Sequence, residues 1–113
     1  MQRLALNHLN LPASDPNALR RWYVEMLGFQ ERGRFLWSAG TLLVFTAADP
    51  LRRPEVHFGF RVDSLAELHA WVDALRGRGL DPGEIQGDED YSTVFFHDPE
   101  GNKMELFFEP VPQ

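Results

Sequence analysis

The sequence predicts an α+β protein made of two βαβββ modules, which form a curved mixed sheet around a cleft with the helices on its outer face. Three observations predict it. Strand-period and helix-period apolar patterns alternate in the same order in each half of the 113-residue chain. The two halves align without a gap at an offset of 49 residues, the spacing of His8 and His57. Alternation along the central strands then separates an apolar face from one bearing histidine and carboxylate.

The elements follow in order. Residues 3–11 read as a strand, with Leu4, Leu6, His8 and Asn10 on one face and Ala5, Asn7, Leu9 and Leu11 on the other, a mixed pattern that suits a strand partly covered on both faces. Pro12-Ala-Ser-Asp-Pro ends it, and Ser14 or Asp15 caps a helix that accepts Pro16 in its first turn. Leu19, Trp22, Tyr23 and Met26 give that helix one apolar stripe, and Gly28 stops it. Three short strands are expected near 29–33, 34–38 and 41–47, followed by a surface loop holding Pro50 and Pro54.

The second half opens with the clearest strand, residues 55–62. Val56, Phe58, Phe60 and Val62 form its apolar face, and Glu55, His57, Gly59 and Arg61 form the other. Asp63 or Ser64 caps the second helix, which carries Leu65, Leu68, Trp71, Val72 and Leu75 on one side. Strands near 83–87, 91–97 and 102–108 complete the module. The offset of 49 places His57 on His8, Leu68 on Leu19 and Trp71 on Trp22. The chain therefore reads as one domain, 1–113, built from modules 1–54 and 55–113.

Composition bounds the function. With 43% hydrophobic residues the chain can bury a core, and with no cysteine it has no disulfide, thiolate nucleophile or Cys-ligated metal. A net charge of −6 argues against nucleic acid as a partner. No apolar run reaches the ~18–20 residues of a membrane span, and the first residues lack a signal-peptide layout. A soluble cytoplasmic protein that leaves membranes alone is the expectation.

The chemistry gathers around Glu105. The segment Asp98-Pro-Glu-Gly-Asn-Lys-Met-Glu-Leu-Phe-Phe108 reads as a tight turn feeding a strand. Met104, Leu106 and Phe108 take its apolar face, so Glu105 takes the other. A carboxylate there is costly unless it is exposed, paired or metal-bound. Pairing with Lys103 or Arg61 is the plain alternative, as a packed core histidine is for His8. By the same alternation His57 and, through the repeat, His8 share the concave side with Glu105. Two histidines and a carboxylate can hold one divalent metal, Mn, Fe, Ni, Co or Zn, and leave positions open.

These residues carry a resemblance. Leu-Asn-His8-Leu-Asn-Leu, the helix ending Trp-Tyr-Val-Glu-Met-Leu-Gly-Phe29, Val-His57-Phe-Gly-Phe-Arg-Val62 and Phe96-His-Asp-Pro-Glu-Gly-Asn-Lys-Met-Glu105 are similar to the vicinal oxygen chelate superfamily. That family comprises glyoxalases, bleomycin-resistance proteins and extradiol dioxygenases. The resemblance covers nearly the whole chain. It implies paired βαβββ modules, a metal held by His8, His57 and Glu105, and bidentate chelation of vicinal oxygens on a small substrate. It also implies a homodimer, commonly one that exchanges halves between subunits.

Departures from the family pattern narrow the activity. The fourth, carboxylate ligand of glyoxalase I would fall near Val44, where no carboxylate stands. Fosfomycin-inactivating thiol transferases carry a tyrosine where this chain has Phe95, and a basic C-terminal extension. His97 and Tyr91 are the candidates for the acid/base groups of a dioxygenase. Trp37, Val44, Arg61, Phe95 and Phe107 are the candidate lining for substrate. The expected function is a metal-dependent lyase, isomerase or dioxygenase acting on a small oxygenated molecule. The alternative is a drug-sequestering protein without catalysis.

Overall fold

A computed structural model describes residues 1, 3–88 and 90–110. The elements run β1 (His8–Ala13), α1 (Pro16–Leu27), β2 (Gln30–Arg32), β3 (Phe35–Ser38), β4 (Thr41–Ala47), β5 (His57–Arg61), α2 (Leu65–Gly77), β6 (Gln86–Gly87), β7 (Ser92–His97) and β8 (Lys103–Phe108). The class is the α+β arrangement that the sequence predicts. The strands form two separate four-stranded mixed sheets, ordered β1-β4-β3-β2 and β5-β8-β7-β6. Both orders are the same for a βαβββ unit: the first strand lies parallel to the fourth, and the rest are antiparallel. The chain divides into two compact units, Met1–Arg52 with Pro99–Gly101, and Arg53–Asp98 with the chain from Asn102 on.

In the first unit, Asp15 caps α1 by accepting from the Ala18 amide at 3.1 Å. Pro16 fills the first turn, and Gly28 ends the helix at φ 75°, a left-handed conformation that a residue without Cβ adopts at little cost. Leu19, Tyr23 and Leu27 are the buried stripe. They meet the inward face of the sheet, where Leu11, Ala13, Leu36 and Leu43 are all buried. Tyr23 also packs edge-on against Phe29, with ring centroids 5.8 Å apart.

In the second unit, Ser64 caps α2 by accepting from the Glu67 amide at 3.0 Å. Leu68, Val72 and Leu75 are buried on the helix, and Val94, Phe96, Met104 and Leu106 on the sheet. Every second residue of β7 and β8 thus turns to α2, and the intervening ones turn to the opposite face.

Several boundaries differ from the sequence-based expectation. The first strand runs 8–13 instead of 3–11. Leu4 and Leu6 are fully or largely exposed, at 100% and 82%, so the leucines that suggested an earlier start pack on nothing in this chain. Strand pairing with β4 continues instead through Pro12 and Ala13. Pro12 is tolerated there because β1 is an edge strand. The strand expected at 55–62 spans 57–61, and Val56 is exposed. Only Gln86 and Gly87 remain of the strand expected near 83–87.

Candidate functional site

The face of the second sheet that turns away from α2 is laid out in rows by the strand register. His57, Lys103 and His97 form one row across β5, β8 and β7. Gly59, Glu105 and Phe95 form the next, and Arg61, Phe107 and Thr93 the third. Tyr91 stands just before β7. Six of the candidate residues therefore share one surface: His57, Arg61, Phe95, His97, Glu105 and Phe107.

Glu105 is the centre of this surface. It is only 7% exposed, so its carboxylate is sheltered and depends on its partners. Its two oxygens have different surroundings. Oε2 accepts from the Tyr91 hydroxyl at 2.7 Å and from the Thr93 hydroxyl at 2.7 Å. Oε1 lies 3.4 Å from His57 Nε2. Neither Lys103 nor Arg61 pairs with it. Lys103 Nζ sits 4.7 Å from the centre of the Phe95 ring, and Arg61 donates to the Glu109 carbonyl at 2.7 Å.

Aromatic rings fix the surroundings. His57 meets Phe95 edge-on at 5.6 Å between centroids. Tyr91 stacks on Phe107 at 5.5 Å, with 15° between the planes. Burial, then the hydrogen bond to Glu105 and the charge of that carboxylate, push the Tyr91 phenol up to about 12. At neutral pH it is a proton donor in the hydrogen bond. The turn before it is held by Asp88, whose carboxylate accepts from the Asp90 amide at 2.8 Å and the Tyr91 amide at 3.1 Å. Asp88 therefore anchors the backbone of Tyr91.

The first unit repeats the ladder with other residues. His8 opens β1 and is exposed. Leu42 has His8 on one side and Trp37 on the other. Asn10 pairs with Val44 where the second unit pairs Gly59 with Glu105. Val44 thus occupies the register position of a carboxylate and carries none. Thr46 donates to Asn10 Oδ1 at 2.8 Å on that same face.

His57 and Glu105 fit a metal as a pair. Two donors bound to one ion at ~2.1 Å stand roughly 3.0–3.4 Å apart at octahedral to tetrahedral angles, and the observed separation is 3.4 Å. Imidazole with carboxylate also suits first-row divalent ions. The third candidate ligand, His8, belongs to the first unit. Among the described residues, no group of three or more His, Asp or Glu side chains is close enough to hold an ion.

Two residues of this surface escape a reading of the sequence alone. Thr93 shares the face by alternation, but nothing in its identity announces a bond to Glu105. Gly59 interrupts an apolar strand, a signal of close approach, and the side chain that approaches is Glu105.

Comparisons with known proteins identify the family and the fold. The family model described as the Glyoxalase/Bleomycin resistance protein/Dioxygenase superfamily matches residues 5–106. No curated protein matches the chain. Solved structures do. The fosfomycin resistance protein FosX from Listeria monocytogenes superposes with a TM-score of 0.81 at 18% identity, covering 97% of each chain. Lactoylglutathione lyase from Agrobacterium tumefaciens gives 0.75 at 18%, covering 96% of each. The oxidase ChaP-H1 gives 0.69 at 26%, covering 96% of this chain and 98% of its own.

Proposed function

Because the chain belongs to the glyoxalase/bleomycin resistance protein/dioxygenase superfamily, we propose that it is a divalent-metal-dependent enzyme acting on a small oxygenated substrate. The reaction class is a lyase, isomerase or dioxygenase reaction. The observation that carries this reading is Glu105: a sheltered carboxylate with one oxygen held by two hydroxyls and the other facing His57 Nε2 at 3.4 Å.

In this proposal His8, His57 and Glu105 hold the ion. When bound, it supplies Lewis-acid stabilisation of negative charge on substrate oxygens. The protein does the rest. Phe95 and Phe107 flank Glu105 and keep water from its carboxylate, which strengthens every charge interaction beside it. Lys103 stands in the row next to Glu105, between His57 and His97, and favours an anionic or enolate-like substrate. His97, exposed at the end of β7, is the group assigned to proton transfer, because its imidazole can both accept and donate a proton. Val44, in the register position of a fourth ligand, leaves the set at three protein donors, and Trp37 joins it as substrate lining. Arg61 serves the Glu109 carbonyl first. The working form is a homodimer, and light scattering on purified protein checks that directly.

The test of function is metal content. Protein purified without chelator should carry a stoichiometric divalent ion, and Glu105→Ala should remove it. Protein that refuses Mn, Fe, Co, Ni and Zn alike overturns the enzyme reading in favour of a sequestering protein.

A further inference from the structure

We propose that Tyr91 and Thr93 are positioning residues that give the two oxygens of Glu105 separate tasks, holding Oε2 in the protein and leaving Oε1 as a one-oxygen ligand. This rests on the metal reading above and goes beyond it, because it fixes how the carboxylate binds.

The argument starts with lone pairs. A carboxylate oxygen has about two acceptor sites. Oε2 fills both, with Tyr91 and Thr93 each at 2.7 Å. Both distances are at the preferred length for O–H···O bonds, which to an ionised acceptor are about twice as strong as neutral ones. Thr93 Oγ1 has a second acceptor nearby, the Leu106 carbonyl at 3.3 Å. A hydroxyl has one proton, and at 3.3 Å that carbonyl is the weaker claimant, so the proton goes to Glu105.

Each donor is itself held. Thr93 is buried within β7, paired across the ladder with Phe107. Tyr91 is fixed at its ring by the stack on Phe107 and at its backbone by Asp88. For Glu105 to bind an ion through both oxygens, Oε2 would have to give up two short charge-assisted bonds. The geometry therefore favours ligation through Oε1 alone, on the side where His57 Nε2 stands. A one-oxygen ligand leaves one more coordination position open than a two-oxygen ligand. A substrate that binds through two adjacent oxygens needs that extra position.

The experiment uses the full chain loaded with Co²⁺ or Zn²⁺. Four variants are compared with wild type: Tyr91→Phe, Thr93→Val, the double variant, and Thr93→Ser, which keeps the hydroxyl. Affinity is read by competition with a chromophoric chelator, and coordination by the visible absorption of Co²⁺, which weakens as coordination number rises. Tyr91 is 38% exposed, so loss of its hydroxyl leaves the fold standing, and a melting curve verifies this. The expected result is a loss of affinity of about 10- to 100-fold for Tyr91→Phe and for Thr93→Val. Thr93→Ser should stay near wild type, and the double variant should have a weaker Co²⁺ band as Oε2 joins the ion. If Tyr91→Phe and Thr93→Val bind Co²⁺ as tightly as wild type with the same spectrum, the positioning role is overturned while the metal reading stands. If wild type binds none of Mn, Fe, Co, Ni and Zn, both fall together.

Discussion

Gly59 and Glu105 face each other across the parallel β5–β8 ladder so closely that a Cβ on Gly59 would lie 2.8 Å from Glu105 Cγ. It would also lie 3.1 Å from the Phe107 ring. Elsewhere in a strand, glycine is a weakness, because it adds backbone entropy to lose and packs no side chain. Here its bareness is what lets the carboxylate lie flat against the sheet with its oxygens turned to Tyr91, Thr93 and His57. Gly59→Ala should therefore behave unlike an ordinary strand substitution. The added methyl meets the middle of the Glu105 side chain, which has no free end to swing away. Urea unfolding should show a loss of about 1–3 kcal/mol from overpacking, and metal affinity should fall about 10-fold or more as Oε1 moves. Unchanged affinity would mean that Glu105 can sit elsewhere and still bind.

Met104 supplies the opposite case. It is adjacent to Glu105 on β8 but fully buried on the α2 side of the sheet. Met104→Ala empties a fully buried position between Phe58 and Phe96 in the ladder and should cost about 2–5 kcal/mol of stability. While the protein remains folded, its metal affinity should stay close to wild type, because none of the Glu105 partners is touched. Equal loss of affinity in both variants would show that the site follows global stability and not the local contact.

The β3–β4 hairpin offers a gain. Its two-residue loop, Ala39-Gly40, has φ 49° and 87°, the pattern of a type I′ turn, which prefers Asn-Gly. Ala39 is the one non-glycine residue with positive φ among the described residues, and its Cβ is strained there. Ala39→Asn should raise stability by about 0.5–1 kcal/mol, seen as a higher urea midpoint with the same slope. A lower midpoint would refute the turn assignment.

Much of this was legible in the sequence, for a physical reason. The two halves use the same local devices in the same register, so β1 and β5 begin at His8 and His57, and α1 and α2 at Pro16 and Leu65, all 49 residues apart. Strand alternation then fixed which side Glu105 faces, and Tyr91 came to the same surface by the same rule. What alternation cannot show is which neighbour a side chain chooses. Oε2 takes Thr93 and Tyr91 and passes over Lys103 and Arg61, because the lysine ammonium lies against Phe95 and the arginine is claimed by a carbonyl. Nor can it show an edge: Leu4 and Leu6 share the His8 face by alternation, yet both are exposed and the β1–β4 ladder starts at His8.

The least legible contact is also one that pH can test. Glu100, in the turn between β7 and β8, reaches Ser14 and Asp15, 86 and 85 residues away in sequence. Its carboxylate accepts from the Ser14 amide at 2.9 Å, the Ser14 hydroxyl at 2.9 Å and the Asp15 amide at 3.0 Å. This places a negative charge just ahead of the α1 N-terminus, where the helix dipole favours it. The Ser14 amide, then the Asp15 amide and the Ser14 hydroxyl, hold the Glu100 carboxyl below its ordinary value of 4.5, with Arg52 adding a smaller pull. A carboxyl depressed in the folded state stabilises the fold fully above its unfolded value. That stabilisation is lost as pH falls through the lower folded value. Glu100→Gln, which removes the charge and keeps the size, should therefore melt below wild type at pH 7. The gap should persist to about pH 5 and close as pH falls below 4.5 into the range of the folded carboxyl. A gap of the same size at every pH would show that the three bonds act through shape alone. A gap that widens in acid would contradict the direction of the shift.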